Sequence, residues 1–322
     1  PKLVGRERQE RTLRRRAQHA AARLGGALSL QAPAGMGRSR MLDAAARQAQ
    51  LSGLRIARAD ASAGARSHFA VAKRLFEGLA ADEPALQYTL RELGLVAQSA
   101  EVTGSLGSES REHRLRELVR ALTAACERAP CALLIDDVSA IDDPSLAFLA
   151  EMATRSPELG LLIVSACEPP TGATPSAALA LLNKESRRLE LPPLVAAATR
   201  ELVVSLFDEV PNVDLLASLL QQYAKGVPRR VMQAAEACLQ QELVRYEGGG
   251  FCIASAKDAL TRVIAAHARP DLDTRPVSDE ARALLQIVAF DRFEILEVAD
   301  YQGLLGATEA AAVYRALIEL CD

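Results

Sequence analysis

Residues 27–50 constrain the fold more than any other stretch of this 322-residue chain. Ala27-Leu28-Ser29-Leu30-Gln31 reads as a short buried strand, and residues 39–50 read as a helix. Between them runs Ala32-Pro33-Ala34-Gly35-Met36-Gly37-Arg38-Ser39, close to the phosphate-loop pattern G-x-x-x-x-G-K-[ST] set between a strand and a helix. Gly35, Gly37 and Ser39 meet the pattern or its common variants, while Ala32 replaces the first glycine and Arg38 the lysine. Such a loop works because small residues let backbone N–H groups turn inward at a helix head, where the dipole favours anions. Ser39 can put its hydroxyl on Mg²⁺. Arg38 keeps the charge of lysine, but its flat, longer fork is not equivalent. Taken alone, the loop also fits an ordinary strand-to-helix turn.

A second segment adds to the first. Leu133-Leu134-Ile135-Asp136-Asp137 is an apolar strand ending in two acids. In phosphate-loop proteins the first acid positions Mg²⁺ and the second can orient water. The plainer alternative is an aspartate pair capping the next helix. Residues 54–59 alternate like a strand, and residues 161–165 form another apolar run. Helices are predicted over residues 6–24, 69–80 and 113–128, with a Gly/Ser-rich surface loop at 104–110. Strands alternating with helices predict a parallel sheet with helices on both faces. Residues 188–191 add a candidate edge strand. Arg11, Arg14, Arg15 and Arg16 on the first helix are read as a solvated face, with Leu13, Ala17, Ala20 and Leu24 turned inward. A polyanion contact is the alternative.

Beyond residue 170 the pattern turns helical: residues 195–207, 213–223 and 228–241, then a tight turn at Gly248-Gly249-Gly250 between two short extended pieces. Residues 278–290, 294–301 and 308–321 are predicted to be three short helices. Net charge is −3, so no global electrostatic case for nucleic acid exists. No apolar run approaches a membrane span. The six cysteines form no C-x-x-C pair and no metal-ligand spacing with histidine, and are read as free thiols in a reducing compartment. His19, His68, His113 and His267 are scattered and carry no catalytic pattern. The chain opens on Pro1 without a signal peptide and ends after a helix without a stop signal, which reads as a segment of a longer, cytoplasmic protein.

As a set, the motifs resemble the STAND ATPases, a branch of the AAA+ superfamily, and most closely the ATPase modules of large LuxR-type and kinase-linked bacterial regulators. Leu3-Val4-Gly5-Arg6-Glu7 is similar to the family's V-G-R-E motif, and residues 31–40 to its phosphate loop. Residues 136–146 match D-D-h-h-x-x-D-x-x-S-L, residues 189–194 the L-x-P-L step, and Gly226-Val227-Pro228 the G-x-P motif. The resemblance implies an α/β P-loop NTPase fold with a five-stranded parallel sheet, then an all-α helical subdomain and a partial winged-helix-like region. The expected domains are 1–172, 173–245 and 246–322. It implies ATP or ADP with Mg²⁺, the base near Val4, Gly5, Arg6 and Pro228. The phosphates would lie on Gly35, Met36, Gly37, Arg38, Ser39 and Arg40, the metal on Ser39 and Asp136, and the chemistry on Asp136 and Asp137. Implied partners are effector and sensor domains outside this segment, with self-association and no membrane. Direct DNA contact is not expected, because residues 278–321 lack a basic recognition helix.

Three positions depart from the family pattern. Arg38 replaces the loop lysine. Glu168 stands after the strand at 161–165, where the family carries an arginine that senses the γ-phosphate. Ser139 replaces an aromatic residue or histidine after the double aspartate. Phosphoryl transfer depends on positioning and charge stabilisation, so these changes argue for slow or absent hydrolysis while leaving backbone-mediated binding intact. The expected function is a nucleotide-binding regulatory switch of a larger signalling or transcription-regulating protein. The alternative is a degenerate, non-hydrolysing scaffold for protein–protein interaction.

Overall fold

Five strands assemble into one parallel sheet in the computed structural model, which describes residues 3–62, 68–81, 83–95, 108–169 and 175–268. The strands are β1 (Gly26–Gln31), β2 (Arg55–Asp60), β3 (Cys131–Asp136), β4 (Leu161–Cys167) and β5 (Ser186–Glu190), in the order β2-β3-β4-β1-β5. β1 pairs with β4 from Gly26↔Leu162 to Gln31↔Cys167, and with β5 from Ala27↔Ser186 to Gln31↔Glu190. The parallel sheet is the one expected from the alternation, and the architecture is the α/β P-loop NTPase fold that the resemblance implied. The edge strand begins at Ser186, so the sheet runs past residue 172.

Helices α1 (Glu7–Ala21), α2 (Arg38–Leu51), α3 (Ala70–Ala80), α4 (Pro84–Glu92), α5 (Ser108–Arg128), α6 (Asp143–Arg155) and α7 (Ala177–Glu185) surround the sheet. Strand side chains alternate between its faces, as the two-residue period requires. Leu133, Ile135 and Ile163 join Phe76, Leu118 and Phe148 on one side. Ala132, Leu134, Leu162 and Val164 join Leu13, Met41 and Leu42 on the other. Phe76 meets Phe148 edge-on at 5.8 Å between ring centroids. On the second face alanines at 17, 20, 44, 45 and 49 are fully covered, which lets α1 and α2 lie close in a chain without tryptophan.

Two local expectations are corrected. α1 stops at Ala21, because Arg23 turns left-handed (φ 66°) and Leu24 N–H bonds back to His19 O at 2.9 Å. Leu24 is therefore exposed, while Leu13, Ala17 and Ala20 are buried as expected. α5 begins at Ser108, so the last residues of the expected 104–110 loop are helical; 104–107 lie outside the described residues.

Past the sheet, α8 (Ala196–Phe207), α9 (Val213–Ala224), α10 (Pro228–Gln240), a hairpin of β6 (Val244–Glu247) and β7 (Gly250–Ile253), and α11 (Lys257–His267) share one core. Its members include Leu202, Phe207, Leu216, Leu220, Val231, Val244, Ile253, Leu260 and Ile264. The hairpin closes on Gly248 (φ 60°) and Gly249 (φ 86°), the two positive φ angles a two-residue turn of this hand needs. The boundary expected after residue 245 falls inside β6. Chain contacts divide the protein into units Pro1–Arg269 and Pro270–Asp322, and all described residues belong to the first. The helices expected at 278–290, 294–301 and 308–321 lie outside the described residues. No described helix is long and apolar enough to cross a membrane.

Candidate functional site

Gly37 sets up the site. It holds φ 90° as the residue before α2, and no side chain caps that helix. A Cβ on Gly37 would meet nothing within 4 Å, so the glycine is required by its backbone angle, not by crowding. Gly35 is also left-handed, at φ 77°. Two such turns before an uncapped helix leave N–H groups directed at one spot, the arrangement that receives a phosphate.

A cavity of about 390 Å³ opens over this helix head. Ala34, Gly35, Met36, Gly37, Arg38, Ser39 and Arg40 form one wall, Leu3, Val4 and Arg6 a second, and Leu194, Leu202, Pro228, Arg229 and Met232 a third. Nine of the ten cofactor-binding residues read from the sequence thus surround one space. The tenth, Gly5, does not line it. Gly5 lies against α8, where a Cβ would stand 2.7 Å from Ala198 Cβ. The apolar wall of Leu194, Leu202 and Met232 was missed in the sequence, because Leu202 and Met232 are ordinary residues of helical segments and Leu194 sits in the link before α8.

Three connections fix the walls to the loop. Arg6 is 2% exposed; its Nη1 donates to Pro192 O at 2.6 Å and its Nη2 to Met36 O at 3.3 Å. Burial pulls this guanidinium below the usual arginine value, with Glu7 opposing. Arg229 N–H donates to Gly35 O at 3.1 Å, so the head of α10 is bonded to the loop itself. Leu194 N–H donates to Gly226 O at 2.7 Å, and a Cβ on Gly226 (φ 72°) would stand 2.2 Å from Leu194 O. The G-x-P glycine is therefore a close-approach residue, and Pro228 opens α10 beside it.

Arg38 does not point freely into the cavity. Its Nη1 donates to Ala32 O at 3.1 Å and its Nη2 pairs with Glu168 Oε1 at 3.2 Å, with the arginine side chain 15% exposed. The two unusual charges noted in the sequence thus neutralise one another across the loop. The backbone beneath is tied in the same place by Ala32 N–H to Cys167 O at 3.3 Å.

The double aspartate stands apart from the cavity walls. Asp136, at the end of β3, accepts from Asp137 N–H at 3.1 Å and faces Arg58 Nη2 at 3.8 Å; Arg58 also bonds Asp43 of α2. Asp137 is left-handed (φ 49°), and its carboxylate accepts from Ser139 Oγ. Neither caps α6. That role belongs to Asp142, whose Oδ1 accepts from Ser145 N–H at 2.9 Å. Among the described residues no group of three or more His, Cys, Asp or Glu could hold a metal by itself. A Mg²⁺ on Ser39 and Asp136 would need phosphate oxygens to complete it, which is the usual habit of that ion.

A left-handed glycine turn before an uncapped helix, at the end of a strand inside a parallel sheet, defines a P-loop NTPase fold. The chain belongs to the AAA ATPase domain family, whose model matches residues 2–164. No curated protein sequence matches it. Among solved structures it is similar to Cdc6p from Pyrobaculum aerophilum, at 11% identity and TM-score 0.53, over 99% of this chain and 86% of that one. It is similar to Drosophila ORC bound to DNA, at 15% identity and TM-score 0.53, over 99% and 79%. It is also similar to Aeropyrum pernix ORC1 in complex with DNA, at 16% identity and TM-score 0.50, over 99% and 83%. At these identities the likeness concerns the fold.

Proposed function

We propose that the cavity binds ATP and ADP, with phosphates at the backbone of Gly35 to Ser39 and the base between Val4, Leu194, Pro228 and Met232. Hydrolysis is slow or absent. The chain then serves as the regulatory switch module of a larger bacterial signalling or transcription-regulating protein of the STAND type. Sensor and effector domains would lie outside the segment, and the sheet, helical and winged-helix-like parts would move as domains. The observation that carries this reading is the cavity itself, walled on one side by the loop and on the other by α10. A ligand there touches both. The Arg229–Gly35 bond supports a switch, since anything that reshapes the loop also moves the head of α10.

The weak-hydrolysis part rests on Arg38. The loop lysine normally reaches the β- and γ-phosphates, whereas here the guanidinium is held by Ala32 O and Glu168. The same pair favours the second reading, a scaffold that binds nucleotide without turnover. Two of the similar solved structures are complexes with DNA. A mobility-shift assay is the check on any such contact here.

Calorimetry with ADP and ATP, with and without Mg²⁺, tests the proposal. Binding is expected, with turnover below about 1 per second. Arg38→Lys is expected to raise affinity or turnover more than Arg38→Ala lowers them, because an ammonium fits between two phosphates where a planar fork does not. No binding at millimolar nucleotide overturns the reading. Turnover of about 1 per second or more, lost in Asp137→Asn, overturns the claim of decayed hydrolysis.

A further inference from the structure

α1 runs antiparallel alongside the edge strand β5. Gln9 Nε2 donates to Glu190 O at 3.1 Å at one end of this contact, and Arg16 faces Arg187 at the other. The spacing is consistent: seven helical residues rise about 10 Å, as do three strand residues. Where the contact ends, Thr12, Arg15, Arg16, His19 and Arg187 enclose a recess of about 150 Å³. Arg16 Nη1 lies 3.4 Å from the point a Cβ on Gly26 would occupy, so its guanidinium is laid against the head of β1.

No carboxylate lines this recess, and no ion pair joins Arg15, Arg16 or Arg187 to an acid among the described residues. Half-buried Arg55, by contrast, is paired with the carboxylate of Glu83 at 3.1 Å. Arg16 is held below the usual arginine value by burial first and then by the charges of Arg187 and Arg15. Three guanidiniums crowded without a counter-charge repel each other, and an anion between them removes that cost.

We propose that this recess is a binding site for a phosphate dianion, either free phosphate or the terminal phosphate of a small monoester. Guanidinium forks match tetrahedral oxyanions in two-point contacts. The volume is well below the roughly 300–1,000 Å³ of sites that take whole drug-sized molecules. The recess is built from two elements that the nucleotide reading does not use, so the inference stands apart from that reading.

The test is phosphate binding to the full chain by calorimetry at constant ionic strength, using inorganic phosphate, phenyl phosphate and a single-stranded oligonucleotide. Inorganic phosphate and phenyl phosphate are expected to bind, and the oligonucleotide, whose diesters carry one charge per phosphate, to bind at least about tenfold more weakly per site. Arg16→Gln and the exposed pair Arg15→Gln/Arg187→Gln are each expected to weaken phosphate at the recess at least fivefold, while Arg38→Ala alters binding at the loop alone. If phosphate binding disappears in Arg38→Ala but persists in both arginine variants, the anion sits at the loop and the inference falls. It falls too if chloride at equal ionic strength competes as well as phosphate. Preferential binding of the oligonucleotide would replace it with a nucleic-acid contact. Because Arg15 and Arg187 lie at the surface, the double variant folds even if the half-buried Arg16 does not tolerate change.

Discussion

A single carboxylate, Asp142, closes the first turns of two helices. It accepts from Ser145 N–H of α6, and from Phe69 N–H at 2.8 Å and Val71 N–H at 3.3 Å at the head of α3. Ser145 Oγ adds Ala72 N–H at 3.0 Å. α3 has no cap of its own, since Phe69 before it is left-handed and its side chain has no polar atom. The aspartate and serine of the D-x-x-S-L segment are thus the caps of a helix more than sixty residues upstream. Asp142→Ala should lower the unfolding free energy by about 2–3 kcal/mol, the sum of a lost cap and unpaired N–H groups. Asp142→Asn, which keeps one acceptor, should lose less, and exposed Asp143→Ala under about 0.5 kcal/mol. Urea unfolding separates these; equal losses at 142 and 143 would contradict the double cap.

Among the elements, α4 is held to the sheet through charge. Glu83, just before it, receives Arg55 from β2 at 3.1 Å and Arg128 from the end of α5 at 3.0 Å, with its side chain 13% exposed. The hydrogen bond from Arg128, and with it Arg55, holds its carboxyl below the usual glutamate range. A depressed carboxylate stabilises the folded state above its unfolded pKa and loses that contribution as pH falls through the folded value. Wild type should therefore exceed Glu83→Gln in stability at pH 7 and lose the margin below about pH 4.3. Thermal melts at pH 7, 5 and 3 give the answer, and a margin independent of pH would contradict it. The strands and long helices were legible in the sequence because each carries a clean period or an unbroken apolar run. α4, α7 and α11 were not: they span 9, 9 and 11 residues. In α7, alanines blur the contrast, so that Leu182 is buried while its neighbour Leu181 is exposed. The loop wall of the site was legible from its glycines. The Arg38–Glu168 pair was visible only as two oddities, since partners 130 positions apart meet through strand order.

For the whole molecule, the cavity joins two cores that the chain builds separately, one on the sheet and one among the helices. Val4, near the start, belongs to the helical core. A bound nucleotide should therefore stiffen both at once. In hydrogen exchange, amides at 36–41 and 229–233 should slow together, and ligand at about a hundred times Kd should add about 2.7 kcal/mol to stability. Slowing confined to the loop would contradict the coupling. Arg6 has a further consequence. Its guanidinium binds the backbone of residues 36 and 192 at once, while Gly226 locks onto Leu194 and Arg229 onto Gly35. The walls thus come from three stretches of chain, and the family match at residues 2–164 spans only two of them. The site cannot be lifted into another protein as a contiguous cassette. A chain trimmed at residue 164, or begun at residue 7, keeps the glycine loop and loses the enclosure that makes it a cavity.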